Sequence, residues 1–354
     1  VKISAVSEGK SLSAIPIRFE GIAKEELALK ALERHDKKAM LTTEDCLAFF
    51  TVFELEQLLK SWSLEAGKAE LEKILKAQTV QWSGQNFSFD LTLDPIVYAI
   101  LNVTPDSFFD GAEANLSVDN VLKKASYDLE KGASVLELGG KSSRPGYEDI
   151  SPEEEWSRLK AVIPAIKQEF PQSILAVDTD EAYVMERVLD AGVDIINDID
   201  GFDTEEKLKI IESYKPAVVV MNNGRAGFSY ADNVFDELAL FFENKEKELL
   251  ARGLKPENIV LDAGVGFWTG DSGSDSVYRI KATELLSRQG LPVMVAISRK
   301  SYMTNIFEMS PGERLFGSLI FAREMIEQGG RVLRVHDVAE TQRLIKGNRL
   351  YHEF

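Results

Sequence analysis

The chain has 354 residues, a formal net charge of -17 and a pI near 4.8, with hydrophobic residues at 44% and charged residues at 28%. That balance describes a globular protein with a substantial core, and it excludes a general affinity for nucleic acid, because no basic field is present to release counterions from a phosphate backbone. The single cysteine, Cys46, excludes an intrachain disulfide. No apolar run approaches the roughly 20 residues that a membrane helix needs, and no export signal is visible, so the expected location is the cytoplasm.

Residues 1–95 read as a small α+β domain of unstated role. A strand is expected at Ile15–Phe19, helices at Lys24–Glu33, Phe53–Ser61 and Lys68–Lys76, and an alternating strand at Phe87–Leu93. His35 and Cys46 stand alone there, as a surface and a core residue respectively. From residue 96 to 354 the pattern becomes regular. Apolar runs recur at Ile96–Leu101, Ser134–Leu138, Ile174–Val177, Asp194–Ile196, Ala217–Met221, Asn258–Leu261, Pro292–Ala296 and Arg331–Val335. Helix-start signals lie between them: Ser151-Pro152-Glu153-Glu154, Thr204-Glu205-Glu206 and Ser310-Pro311-Gly312-Glu313. Gly132, Gly192, Gly253, Gly290 and Gly330 fall just before strands, where a preceding helix must turn. Eight strand-then-helix units in about 250 residues match an α/β fold of the (β/α)8 TIM-barrel type. A doubly wound sheet has the same alternation, and both folds place chemistry at strand C-termini.

The residues at those ends are Asn102, Glu137 with Gly139-Gly140, Asp178, Asn197-Asp198, Asn222, Asp262, Ser298-Arg299-Lys300, and Arg334 with His336. Asp178 and Asp262 follow apolar runs directly, so each should sit at the rim of the barrel interior and needs hydrogen-bond donors. A heterocycle with an amidine-like pair of N–H groups could supply them, with Asn197 beside it; the lesser alternative is pairing with Arg or Lys from neighbouring strands. Lys300, Arg299, Arg334 and His336 fall on the last two strands, where barrels often bind phosphate, and Arg144 could join them from the loop after the second strand.

These residues carry a resemblance. Leu101-Asn-Val-Thr-Pro-Asp-Ser-Phe, Glu137-Leu-Gly-Gly-Lys-Ser-Ser-Arg-Pro-Gly, Val177-Asp-Thr, Ile196-Asn-Asp-Ile, Asp262-Ala-Gly-Val-Gly-Phe, Ser298-Arg-Lys-Ser and Arg334-Val-His-Asp-Val resemble, in order, the motifs of dihydropteroate synthases over roughly residues 96–347. The resemblance implies a folate-biosynthesis transferase, homodimeric, that joins 6-hydroxymethyl-7,8-dihydropterin pyrophosphate to 4-aminobenzoate and releases pyrophosphate. It also implies that Asp178, Asn197, Asp262, Phe267 and Lys300 hold the pterin. Asn102 with Mg2+, Arg144, Arg334 and His336 would hold the pyrophosphate, and Ser143 would stand near the aminobenzoate. Lys300, Asp178 and Arg144 would bear most directly on catalysis. Loops Thr104–Leu116 and Lys141–Asp149 would close over the site.

The chain departs from the family pattern at Asn222-Asn223, where His-Met is usual, and at Trp268-Thr269, where Gly-Lys is usual. Lys141 replaces a Glu, and Glu137 an Asp. Two alternatives therefore stay open: a pterin-binding paralogue that no longer turns over, and a methyltetrahydrofolate-dependent methyltransferase on a similar barrel. The second has no use for Arg144 and Arg334-Val-His336. Gly270–Ser276 lacks the spaced Gly and Glu of a calcium loop and reads as a flexible acidic loop.

Overall fold

Side chains along a strand alternate between two faces, and in this chain that period of two separates a packing surface from a site. The computed structural model describes residues 1–6, 12, 14–22, 28, 30–32, 40–41, 45–103, 117–141, 150–225, 227, 229–267 and 274–353.

Before residue 96, strands β1 (Lys2–Ala5), β2 (Ile15–Glu20), β3 (Met40–Leu41) and β4 (Cys46–Phe50) form an antiparallel sheet in the order β1-β2-β4-β3. Helices Val52–Ser61 and Lys68–Ala77 follow; the first opens with a reciprocal cap between Thr51 and Glu54. Cys46 is buried, as expected. His35 and most of the expected helix Lys24–Glu33 lie outside the described residues. The sequence did not announce β4, because Leu47 and Phe49 make its outward face as apolar as its inward one. The strand expected at Phe87–Leu93 is shorter: β5 (Gln81–Ser83) and β6 (Ser88–Asp90) pair as a ribbon three residues long.

The eight later runs become β7 (Ile96–Asn102), β8 (Val135–Gly139), β9 (Ile174–Asp178), β10 (Ile195–Asp198), β11 (Ala217–Met221), β12 (Ile259–Asp262), β13 (Val293–Val295) and β14 (Gly330–Val335). All pair in parallel, and β14 returns to β7 with Val332 opposite Ile96 and Val335 opposite Ala99, closing the barrel. That pairing excludes the open doubly wound sheet. Ser151 and Thr204 cap their helices as expected, accepting from the backbone N–H of Glu154 and Lys207. Ser310 does not cap a helix: it binds the Glu313 carboxylate, and the helix begins at Arg314. The last glycine turn likewise falls on Gly329 (φ +100°), with Gly330 already in β14.

One face of each strand, for example Val97, Ala99, Leu136, Leu175 and Val218, packs under the helices. The other face contributes Tyr98, Val135, Ala176, Ile195, Ala217 and Val260 to a core shared with the N-terminal residues. The β5–β6 ribbon closes that end. Trp82 is fully buried with its ring 6.2 Å from Tyr98, and Phe87 and Phe89 pack around it. Polar ties fix the ribbon in place: Asn86 to Asp194 at 2.7 Å, Asn258 to the Ser83 carbonyl at 2.8 Å, and Gln85 to the Tyr214 carbonyl at 2.8 Å. Among the described residues no helix is long and apolar enough to cross a membrane.

Candidate active site

Two residues beyond the shared apolar core, along the same inward face, come Glu137, Asp178, Asn197, Asp262 and Arg334. The strand period thus delivers a ring of polar groups to the C-terminal mouth. Glu137, 1% exposed, is its hub. One of its oxygens accepts from Asn197 Nδ2 at 2.8 Å and the other from Arg334 Nε at 2.6 Å. Arg334 Nη2 also reaches Asp178 Oδ2 at 2.6 Å. Asp178 therefore takes an arginine partner, one of the two outcomes left open by the sequence. Arg334 Nη1 makes no hydrogen bond among the described residues.

Asp262 is arranged differently. Its Oδ1 accepts from the Gly264 N–H at 2.8 Å, and its other oxygen has no partner among the described residues. Asn197 Oδ1 is likewise buried without a partner. These two acceptors are unspent, which suits a flat ligand bearing N–H donors. Lys300 closes the same side, its ammonium bound to the Val265 carbonyl and 4.6 Å from the Phe267 ring centroid. This approach needs a glycine at 266, where φ is +81° and a Cβ would lie 3.0 Å from Lys300 Cδ.

Burial sets the protonation of these groups. It pushes Asp178 up to about 7, against the pull of the Arg334 charge. It also raises Asp262, opposed by Lys300, the Gly264 N–H, Arg334 and Arg279. It pulls Lys300 down to about 8, with Asp262 holding its charge in place.

His336 stands beyond Arg334, its Nδ1 3.1 Å from Ser298 Oγ. Asn102 ends β7 opposite Gly139, its side-chain oxygen 3.3 Å from where a Cβ on that glycine would be. Arg299 is not in the anion cluster: it forms a two-pronged pair with Asp337 at 2.7 and 2.8 Å. Lys141, the departure from the usual Glu, is bound by Asp180 and Glu181, each at 3.2 Å. Ser143, Arg144, Trp268, Thr269, both expected closing loops and most of the Gly270–Ser276 loop lie outside the described residues.

Two site residues were given no role by the sequence. Glu137 was visible as a carboxylate inside an apolar strand, but its partners come from β10 and β14, 60 and 197 positions away. Arg279 is fully buried on helix Ser274–Ser287 and binds Asn222 and Ala263, although its spacing from Asp275 reads as an ordinary surface pair.

A closed parallel barrel that gathers acceptors and cations at its C-terminal mouth has the arrangement of a barrel enzyme. The model of the family described as pterin binding enzyme matches residues 98–336, from Tyr98 in β7 to His336 just past β14. The dihydropteroate synthase of Bacillus subtilis is 35% identical over 251 residues, covering 71% of this chain and 86% of that protein. That of Escherichia coli is 35% identical over 262 residues, covering 73% and 91%. The solved Xanthomonas albilineans dihydropteroate synthase with 4-aminobenzoic acid superposes with a TM-score of 0.70 at 27% identity, covering 78% of this chain and 99% of that one. The chain belongs to the dihydropteroate synthase family and is a transferase.

Proposed function

We propose that this chain condenses 6-hydroxymethyl-7,8-dihydropterin pyrophosphate with 4-aminobenzoate to 7,8-dihydropteroate in folate biosynthesis. The observation that carries the reading is a pair of acceptors, Asp262 and Asn197, each with an oxygen unspent among the described residues, beside Lys300 and an arginine with one nitrogen unspent there. Asp262 and Asn197 accept the pterin N–H groups, Asp178 flanks them, and Lys300 and Phe267 cover the ring. Arg334 Nη1, His336 and Arg144 receive the pyrophosphate, and Ser143 stands near the aminobenzoate. The methylene C–O bond breaks with its electron pair leaving on pyrophosphate. The arylamine nitrogen forms the new C–N bond and then loses a proton, so cations at the leaving group matter more than a strong base. The 4-aminobenzoic acid held by the Xanthomonas albilineans relative supports the second substrate.

Mg2+ fits this arrangement as an ion carried in on the phosphates. Among the described residues no group of three His, Cys, Asp or Glu could cage a metal, whereas Mg2+ with phosphate and water ligands needs little from the protein. Asn102 would supply one oxygen, and the ion, when bound, would neutralise charge on the leaving pyrophosphate.

The same reading includes a homodimer, a cytoplasmic location and a division of the chain at residue 95. Phe316 and Ile320, one turn apart, are 67% and 47% exposed, and Phe307 nearby is 45% exposed, an apolar face suited to a second copy. A lone buried cysteine draws nothing from an oxidising compartment. The barrel's first strand begins at Ile96.

The test is pyrophosphate release from the pterin pyrophosphate with Mg2+, with and without 4-aminobenzoate, following pteroate by chromatography. Release coupled to pteroate formation is expected. Pterin binding with neither product would make the chain a non-catalytic pterin binder.

A further inference from the structure

Arg279 is fully buried, and its contacts converge on the end of β12, which carries Asp262, and on the neighbouring end of β11. Its Nε pairs with Asp275 at 2.7 Å. Its Nη1 donates to the Asn222 carbonyl at 2.8 Å, to Asn222 Oδ1 at 3.2 Å and to the Ala263 carbonyl at 2.5 Å. Asn222 follows β11 and Ala263 follows β12, so one guanidinium nitrogen ties the two exits together. Asn222 in turn donates its backbone N–H to the Asp262 carbonyl at 3.1 Å. On the other side the Gly264 N–H binds Asp262 Oδ1. The turn is tight: Gly264 has φ +70°, and a Cβ there would lie 2.0 Å from the Asn222 carbonyl oxygen. Arg279 therefore holds both flanks of Asp262 without touching the carboxylate. Its Nη2 is shut away from solvent with no partner among the described residues, so the cation is not fully repaid by the bonds it makes.

We infer that Arg279 is a positioning residue for the pterin: it locks the exits of β11 and β12 so that the unspent oxygen of Asp262 faces the mouth. The inference rests on the reading of Asp262 as the acceptor of the pterin N–H groups. Charge acts in the same direction as geometry. The cations facing Asp262 are Lys300 after β13, Arg334 on β14 and Arg279 on its helix, and each offsets the effect of burial. Without Arg279, Asp262 takes up a proton at higher pH, and a protonated acid loses an acceptor site. A lysine could restore the charge but not the fork that spans Asp275 and two strand ends.

The experiment measures binding of 6-hydroxymethyl-7,8-dihydropterin to the full chain by calorimetry, for the parent, Arg279→Met, Arg279→Lys and Asp262→Asn, at about pH 6 and about pH 8. Arg279→Met replaces a buried cation with an apolar chain of similar length and leaves Asp275 and two strand-end carbonyls without their donor, so it lowers the melting temperature, and melting curves verify that it is folded at the assay temperature. Its Kd is expected to rise roughly 10- to 100-fold, more at the lower pH. KM for the pterin pyrophosphate should rise with it, while KM for 4-aminobenzoate stays at the parent value. Arg279→Lys should recover the parent's pH dependence but only part of its affinity, and it serves as the test if the Met variant does not fold. Parent-like Kd at both pH values in a folded Arg279 variant overturns the inference. Parent-like Kd in Asp262→Asn overturns the reading of Asp262 itself, and with it the role given to Arg279.

Discussion

The two mouths of this barrel are built on opposite principles. At the N-terminal mouth, Trp82, Phe87, Phe89 and Tyr98 form a dry aromatic plug whose polar ties lie around its edge. At the C-terminal mouth, two residues along the same strands, Glu137 and Asp262 are buried and Asp178 and Arg334 half-buried, with Lys300 half-buried beside them. Aromatic burial stabilises a fold outright, whereas buried charge stabilises it only if every partner is in place. The barrel therefore concentrates stability at one end and leaves reactive, titrating groups at the other.

Substitutions can break or sharpen that contrast. Arg334→Ala leaves Glu137 and Asp178 facing each other without a cation. Breaking a buried pair this way costs roughly 3–5 kcal/mol, and the loss in urea denaturation should be smaller at pH 6 than at pH 8, as Asp178 then carries a proton. The same variant should bind the pterin pyrophosphate worse relative to the pterin alcohol than the parent does; equal losses would place Arg334 away from the phosphate. Trp82→Ala, at the other mouth, should cost a similar ~3–5 kcal/mol but leave kcat/KM near the parent value when assayed cold. A matching loss of kcat/KM in folded protein would dissolve the contrast.

Glu155 offers a smaller test just outside the rim. It is fully buried against Gly140, neither carboxylate oxygen has a well-formed hydrogen bond among the described residues, and burial, opposed in part by Thr179, pushes it up to about 8. A raised acid favours the folded state when protonated, so its contribution is full below the unfolded value near 4.5 and is lost as pH rises toward about 8. Glu155→Gln should match the parent near pH 4.5 and exceed it by on the order of 2 kcal/mol at pH 8, read from melting curves. The mildest effect is the pH profile of the parent. Asp178 becomes a carboxylate above about 7 and Lys300 loses its charge above about 8, so kcat/KM should peak between those values and fall on both sides. A flat profile from about pH 6 to about pH 9 would remove both groups from the chemistry.

Most of the barrel was legible because each strand is a short apolar run, five of the eight ending in Asn, Asp or Gly. β11 matches its expected bounds of Ala217–Met221, while β13 loses Pro292 and Ala296 from the ends of its run. Asp178, Asn197 and Asp262 were legible for a related reason: a polar residue that ends an apolar run lies at the rim of the barrel, whereas Lys300, past β13, and Arg334, inside β14, were read from the motifs around them. Glu137 and Arg279 were not, since what defines them is a partner far away in sequence, and no local pattern distinguishes a buried arginine from an exposed one on a helix. The resting partner of Arg334 was hidden too, because the choice between a phosphate and two carboxylates is made by the packing of three strands.

The most direct measurement is single-turnover formation of 7,8-dihydropteroate by the parent and Lys300→Ala side by side, each with its melting curve. The account predicts product from the parent, at least a roughly hundredfold slower rate from the variant, and melting temperatures within a few degrees. Parent-like turnover in Lys300→Ala, or a rate lost only along with the fold, would contradict it.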